Sequence, residues 1–205
     1  MNRSTGLDRS LMGDLNMVST FADAYMLILE ELNNSLLKIK QEEVERLLVR
    51  ILQAKKVFVV GAGRMGLITD SFSTRLNHLG IPSHIVGSIN CPPISSEDLL
   101  IVASSSGETA TVREIVRRAV SSGASVAAIT AVPRSTVGKL SSFYVFLEAP
   151  STLQSTEEEV LISVQPMKTL FEQSLFILFE ALVLLLMDRT QQNGSDLALR
   201  HTNLE

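Results

Sequence analysis

"LLIVASSSGETATVREIV", Leu99 to Val116, carries five apolar residues straight into three serines, a glycine, a glutamate and a threonine, and then into a segment of helical character. A short apolar run rich in branched side chains and ended by small polar residues predicts a strand buried on both faces. The chain therefore leaves the end of a buried strand through a loop of small hydroxyl side chains. Two readings of that loop stand side by side. Serine, threonine and glycine can simply cap the helix that starts near Thr109. Alternatively, the loop is a phosphate cradle, because open α/β sheets bind ligands beyond the carboxyl ends of their strands, where helix N-termini present free backbone N–H groups. Ser104, Ser106 and Thr109 would donate hydroxyl protons to phosphate oxygens, Gly107 would let the backbone approach closely, and no basic residue is required.

Outward from Leu99 to Ala103, short apolar runs recur: Val57 to Val60, Ser83 to Val86, Val126 to Thr130 and Phe143 to Leu147, mostly separated by helical patterns. Apolar strands alternating with helices predict an α/β fold with a mainly parallel sheet covered on both faces. Ahead of the first strand, Ala24 to Ile39 and Val44 to Leu52 show three- and four-residue apolar spacing and predict two helices that break around Lys38 to Gln41. Gly61, Gly87, Gly107 and Gly123 fall at or near element junctions. Ser151 to Glu159 reads as a long polar surface loop before a last helix from Thr169 to about Met187, with Gly194 closing that helix region and a short tail beyond it.

With 205 residues and 45% hydrophobic side chains, the chain predicts one domain over residues 24–205, preceded by a polar, loosely ordered segment, 1–23. A net charge of −4 without a lysine or arginine block gives no footprint for nucleic acid. The single cysteine, Cys91, and an N-terminus without an apolar core predict a cytoplasmic protein. The apolar segment Phe171 to Asp188 is interrupted by Glu172 and Glu180, and its uninterrupted stretch, Ala181 to Met187, falls well short of the roughly 20 residues that span a bilayer. A buried helix is expected there, and no membrane partner.

"VFVVGAGRMG", Val57 to Gly66, has the G-x-G-x-x-G spacing of dinucleotide sites. Such sites want an acidic residue about 20 positions on to hold a ribose, and "SHIVGSIN" supplies none. Glu172, a carboxylate early in an otherwise apolar helix, is either a first-turn glutamate favoured by the helix dipole or a general base directed into a cleft. His78 near a helix end reads as a partner of the C-terminal dipole. Cys91 has no cysteine or histidine at ligand spacing, so no metal site is assigned.

Taken together, "VFVVGAGRMG", "RLNHLGIPSHIVG", "SSSGETATV", "QPMKTLFEQSLFILFEALVLLLM" and the terminal "RHTNLE" resemble the sugar isomerase (SIS) domain family and, within it, the 6-phospho-3-hexuloisomerase branch. The resemblance covers nearly everything after Ala24. It implies a three-layer α/β/α sandwich around a five-stranded parallel sheet, a homo-oligomer that is usually a tetramer, and no metal or organic cofactor. It makes Ser104, Ser106 and Thr109 the phosphate binders with backbone help from Ser105 and Gly107, puts Gly63 and Arg64 at the sugar end, makes Glu172 the base, and has His201 reach a neighbouring subunit's site. The chain departs from the family pattern at Met65, Ser88, Cys91 and Lys168, changes that cluster at the sugar end and spare the phosphate loop. The implied activity is isomerisation of D-arabino-hex-3-ulose 6-phosphate to fructose 6-phosphate in the ribulose monophosphate route. An isomerase for another phosphosugar and a non-catalytic phosphosugar-binding module remain open at this stage.

Overall fold

All five predicted strands form in a computed structural model of the chain, which describes residues 18–150 and 163–204. The elements follow as α1 (Phe21–Leu36), α2 (Gln41–Gln53), β1 (Val57–Gly61), α3 (Arg64–His78), β2 (Ser83–Ile85), β3 (Leu99–Ala103), α4 (Ala110–Ser121), β4 (Ser125–Thr130), α5 (Thr136–Leu140), β5 (Phe143–Phe146), α6 (Thr169–Arg189) and α7 (Gly194–Ala198). The sheet is wholly parallel, in the order β2-β1-β3-β4-β5.

Side chains along a strand alternate between faces, and the core divides accordingly. Val57, Val59, Leu99, Ile101, Ala127 and Ile129 join one apolar cluster, with residues of α1, α2, α3 and α6. Phe58, Val60, Leu100, Val102, Val126 and Ala128 join the other, with Val112, Val116 and Ala119 of α4 and Val137 of α5. Three layers result, and the two outer ones are unequal. The heavier layer is built on α6, where Phe171, Leu175, Leu182 and Leu186 are fully buried and Phe179 stacks on Phe72 of α3 with ring centroids 4.1 Å apart. Burying one such side chain contributes roughly 1.5–3 kcal/mol. Although α6 is long and apolar enough to cross a bilayer, 56% of its most apolar window is buried within the protein, as expected of a core helix.

Most boundaries agree with the sequence reading, and the exceptions are instructive. α1 starts at Phe21 rather than Ala24, because the Thr20 side chain accepts from the Asp23 N–H and the Asp23 carboxylate accepts from the Thr20 N–H, a capping box that adds a turn. Gly194 does not close the α6 region. It is the first residue of α7, capped by Asn193, while Gln191 takes the left-handed turn with φ 53°. The loop expected at Ser151 to Glu159, and residues 1–17 of the polar N-terminal segment, lie outside the described residues.

In this strand order α3 follows β1 onto one face of the sheet and α4 follows β3 onto the other. A crevice opens where neighbouring connections diverge in this way, at the carboxyl ends of the two strands. Gly61 and Ala103 are register partners at those ends. The glycine-rich loop and the serine loop therefore leave the sheet side by side.

Candidate functional site

Ser104 begins the loop with its N–H donating to Ile129 O, and the Ser105 carbonyl accepts from the Ala131 N–H and the Thr130 hydroxyl. These bonds stitch the loop to the end of β4. Ser104, Ser105 and Ser106 are all buried. The Ser104 hydroxyl oxygen accepts from Gly107 N–H at 3.1 Å and the Ser106 hydroxyl oxygen from Glu108 N–H at 3.3 Å. Both act as acceptors there, so each keeps an O–H proton to donate. The Ser105 hydroxyl has no hydrogen-bond partner among the described residues.

Gly107 takes φ 62°, and a Cβ placed on it would stand 1.9 Å from the Ser135 hydroxyl oxygen. Its role in this conformation is close packing against the start of α5, since its N–H is spent on Ser104. Thr109 is the N-cap residue of α4, yet its side chain makes no capping bond. Its half-buried hydroxyl and the first-turn N–H groups of α4 thus stay free of side-chain caps. Capping alone does not account for the serines and threonine of the loop.

Glu108, absent from the sequence-based list, braces the loop. Its carboxylate accepts from the Thr136 N–H at 2.6 Å, the Thr136 hydroxyl at 2.9 Å and Arg113 Nη1 at 3.1 Å. The Thr136 backbone bond, aided by the Thr136 hydroxyl and Arg113, holds the Glu108 carboxyl below the usual carboxylate range against the cost of desolvation. The loop is thereby clamped between α4 and α5.

On the other face, Gly63 takes φ 60° as N-cap of α3 and turns the chain so that Arg64 reaches α6. Arg64 Nε lies 2.6 Å from Glu172 Oε2, although its N–H is not directed at that oxygen, so the carboxylate is paired in charge without a hydrogen bond at Oε2. Glu172 is 8% exposed, and its oxygen, the Gln173 Oε1 and the Ser174 hydroxyl form a run of buried polar atoms with no hydrogen-bond partner among the described residues. Glu172 is thus both readings at once, a first-turn glutamate and a carboxylate facing a cleft. That cleft, about 480 Å³, is lined by Ile28 and Leu32 of α1, Arg64 and Ile68 of α3, and Glu172, Gln173, Phe176 and Ile177 of α6. Sequence reading missed Gln173, although its place beside Glu172 on the same helix was a usable signal.

His201 stands elsewhere. Its ring lies against that of His78, centroids 5.1 Å apart. His78 ends α3 and Arg64 begins it, so the two are separated by roughly 20 Å at 1.5 Å per residue. One chain does not bring His201 to Glu172. His78 occupies the last turn of α3 as expected, but burial first, and then the charges of His201 and Arg75, keep its pKa below the ordinary value. Burial thus works against its carrying the charge that a partner of the helix dipole would need. Of the remaining departures, Met65 belongs to the core on the α3 face, the Ser88 hydroxyl closes the turn after β2 by donating to Ile85 O, Cys91 is half-buried, and Lys168 is the N-cap residue of α6. No cluster of metal-binding side chains occurs among the described residues.

The hydroxyl loop leaves β3 beside the glycine-rich loop of β1, whereas the arginine-paired carboxylate faces a cleft between α1, α3 and α6 whose lining includes no residue of the serine loop. The sequence pattern of the SIS domain matches residues 50–176. The chain belongs to the SIS domain family. It is 38% identical over 178 residues to a 3-hexulose-6-phosphate isomerase of Bacillus subtilis (strain 168), covering 87% of this chain and 95% of that protein. A 3-hexulose-6-phosphate isomerase of Mycobacterium gastri is also 38% identical, over 179 residues, covering 87% and 88% respectively. Among solved structures, a hypothetical protein of Methanococcus jannaschii, whose structure infers a function of 3-hexulose-6-phosphate isomerase, superposes with a TM-score of 0.75 at 30% identity, covering 86% of this chain and 98% of its own. The SIS chain described here therefore falls, over nearly its whole length, among proteins named as isomerases of a phosphosugar.

Proposed function

We propose that this SIS protein interconverts D-arabino-hex-3-ulose 6-phosphate and fructose 6-phosphate. Ser104, Ser106 and Thr109 hold the phosphate through their hydroxyls, with the Ser105 and Gly107 backbone shaping the loop. Gly63 and Arg64 border the sugar. Glu172 removes the proton from C2, the electron pair forms a C2–C3 enediol as the C3 carbonyl oxygen gains a proton, and return of the carried proton to C3 with loss of the O2 proton leaves the 2-ketose. One carboxylate serves both carbons because they are adjacent. Arg64, beside Glu172, supplies positive charge where the enediol becomes electron-rich. The transfer asks for no metal or organic cofactor.

The observation that carries this reading is the buried Glu172 paired with Arg64, which begins the helix after β1, the strand beside the one that leads into the serine loop. His201, roughly a helix length from its own Glu172, fits the reading as a group delivered to a neighbouring subunit's site, where it would assist ring opening of fructose 6-phosphate. The exposed apolar side chains Phe21, Met26 and Leu29 of α1 and Leu184 of α6 support a homo-oligomer, in this reading a tetramer. The same reading places the protein in the cytoplasm, in the ribulose monophosphate route after formaldehyde fixation.

Incubation with fructose 6-phosphate in deuterated water tests it. Formation of the 3-ketose, with deuterium at the carbon that exchanges, is the expected result. Binding of fructose 6-phosphate without conversion or exchange would instead identify a phosphosugar-binding module, and conversion to a different isomer would reassign the substrate.

A further inference from the structure

We propose that Arg200 is the positioning residue for His201, fastening the C-terminal tail to the end of α3 and so fixing where the imidazole stands. This rests on the role just proposed for His201. The tail has little else to hold it. α7 has five residues and buries none of them, and a helix that short does not persist alone. Its Asn193 capping box is internal to the tail, and only partly buried Leu197 packs against the core.

The remaining anchorage runs through two side chains that bind each other, Arg200 and Gln192. Arg200 Nη1 donates to His78 O at 2.9 Å and to Gln192 Oε1 at 2.7 Å, with a longer approach of 3.3 Å to Asp196 O. Gln192 Nε2 in turn donates to Leu79 O at 2.9 Å. The carbonyls at the end of a helix lack intrahelical partners, and a cation there is favoured by the helix dipole. Gly80 completes the seat. It takes φ 77°, and even an added Cβ would reach the Arg200 guanidinium at 3.5 Å, so the group lies directly over its backbone.

His201 follows at once, set against the His78 ring. Its Nδ1 is 3.0 Å from Thr202 O. A carbonyl can only accept, so Nδ1 carries the proton in this contact and Nε2 is the nitrogen left to face a partner. The tail thus delivers that nitrogen at a defined place, and Arg200 sets the place without touching the reacting atoms.

The test compares R200M, R200K, H201A and the R200M/H201A double variant in turnover of hex-3-ulose 6-phosphate. It also follows cross-relaxation between the His78 and His201 ring protons by NMR. R200M should lower kcat at least tenfold, since small misplacements of a reacting group are costly, with KM within about twofold and R200K recovering part of the loss. In the H201A background R200M should cost nothing further, because the group it positions is gone. An equal loss in both backgrounds, or an unchanged kcat in R200M, would overturn the proposal. The NMR arm is independent of activity. Cross-relaxation lost in R200M and kept in R200K supports the seat, and cross-relaxation kept in R200M refutes it. Full turnover by H201A would remove the proposed role of His201, while the NMR result would still decide whether Arg200 holds it.

Discussion

The two halves of the proposed site are finished to different degrees. On the α4 side, the serine loop is tied to β4, α5 and Arg113 by hydrogen bonds from almost every residue between Ser104 and Glu108. On the α6 side, Glu172, Gln173 and Ser174 carry buried polar atoms without partners among the described residues, beside a cleft walled by apolar side chains. A site that grips a constant group such as phosphate gains from being preorganised. A carboxylate that must take up and release a proton cannot have both oxygens locked in hydrogen bonds. In the proposed function, binding falls to the first side and chemistry to the second.

Glu172→Gln tests that division most severely. The amide keeps the shape but not the basicity, so turnover should fall by about a hundred- to ten-thousandfold, while calorimetry with fructose 6-phosphate should find affinity within a fewfold of the parent. A comparable loss of affinity would show that the α6 side also binds. Unchanged turnover would reduce Glu172 to a helix-terminal carboxylate.

Gly107→Ala attacks the other side. The new Cβ would collide with Ser135 at a φ that suits glycine, so strain of about 1–3 kcal/mol should fall on the loop. Affinity for fructose 6-phosphate should drop on the order of a hundredfold, with Glu172 untouched. Adding Ser135→Gly removes the atoms in the way and should restore part of the loss. No recovery would mean that the backbone angle, rather than the collision, shapes the loop.

What the sequence disclosed of these two sides follows from how local each is. Leu99 to Ala103 could be read as a buried strand because a parallel sheet covered on both faces needs a continuous apolar run. The serine loop is contiguous, and Glu172 stands out as a charge within an apolar helix. By contrast, the Arg64–Glu172 pair joins residues more than a hundred positions apart, and Glu108 meets Thr136 and Arg200 meets His78 only because β4 and α3 come to rest where they do. Such contacts depend on strand order and helix packing, which no local pattern encodes. Gly194 misled for a different, local reason: the capping box of Asn193 with Asp196 spans only three residues and outweighs the general preference for glycine at helix ends.

Ser106→Ala is a gentler probe of the phosphate side. It removes one hydroxyl donor while the Glu108 N–H loses a long 3.3 Å bond. The expected cost is about 1–2 kcal/mol, roughly five- to thirtyfold in affinity for fructose 6-phosphate. Titration calorimetry of the two proteins would measure it. Equal affinities would exclude Ser106 from the phosphate contacts and leave Ser104 and Thr109 to carry them.

The smallest effect concerns pH, and it separates the crevice from the far end of α3. His78 is held below its ordinary pKa by burial and by the charges of His201 and Arg75. Its native state therefore binds fewer protons than the unfolded chain as pH falls below about 6.5, and stability must decline across that range and level off once pH is below the depressed folded value. Glu108 and Asp98 are also depressed, by the Thr136 backbone bond and by the Ser95 hydrogen bonds respectively, with Asp98 opposed by desolvation. Their contribution is present above the ordinary carboxylate values and is lost only as pH falls below about 4. Urea midpoints should thus fall in two separate windows. His78→Gln should flatten the upper window and leave the lower, while Glu108→Gln should leave the upper and reduce the lower, where Asp98 remains. If His78→Gln left the upper window unchanged, the decline there would belong to another group and burial would not be opposing the charging of His78. A reduced lower window in Glu108→Gln together with weaker fructose 6-phosphate binding would place the brace of the serine loop in the binding energy of the α4 side.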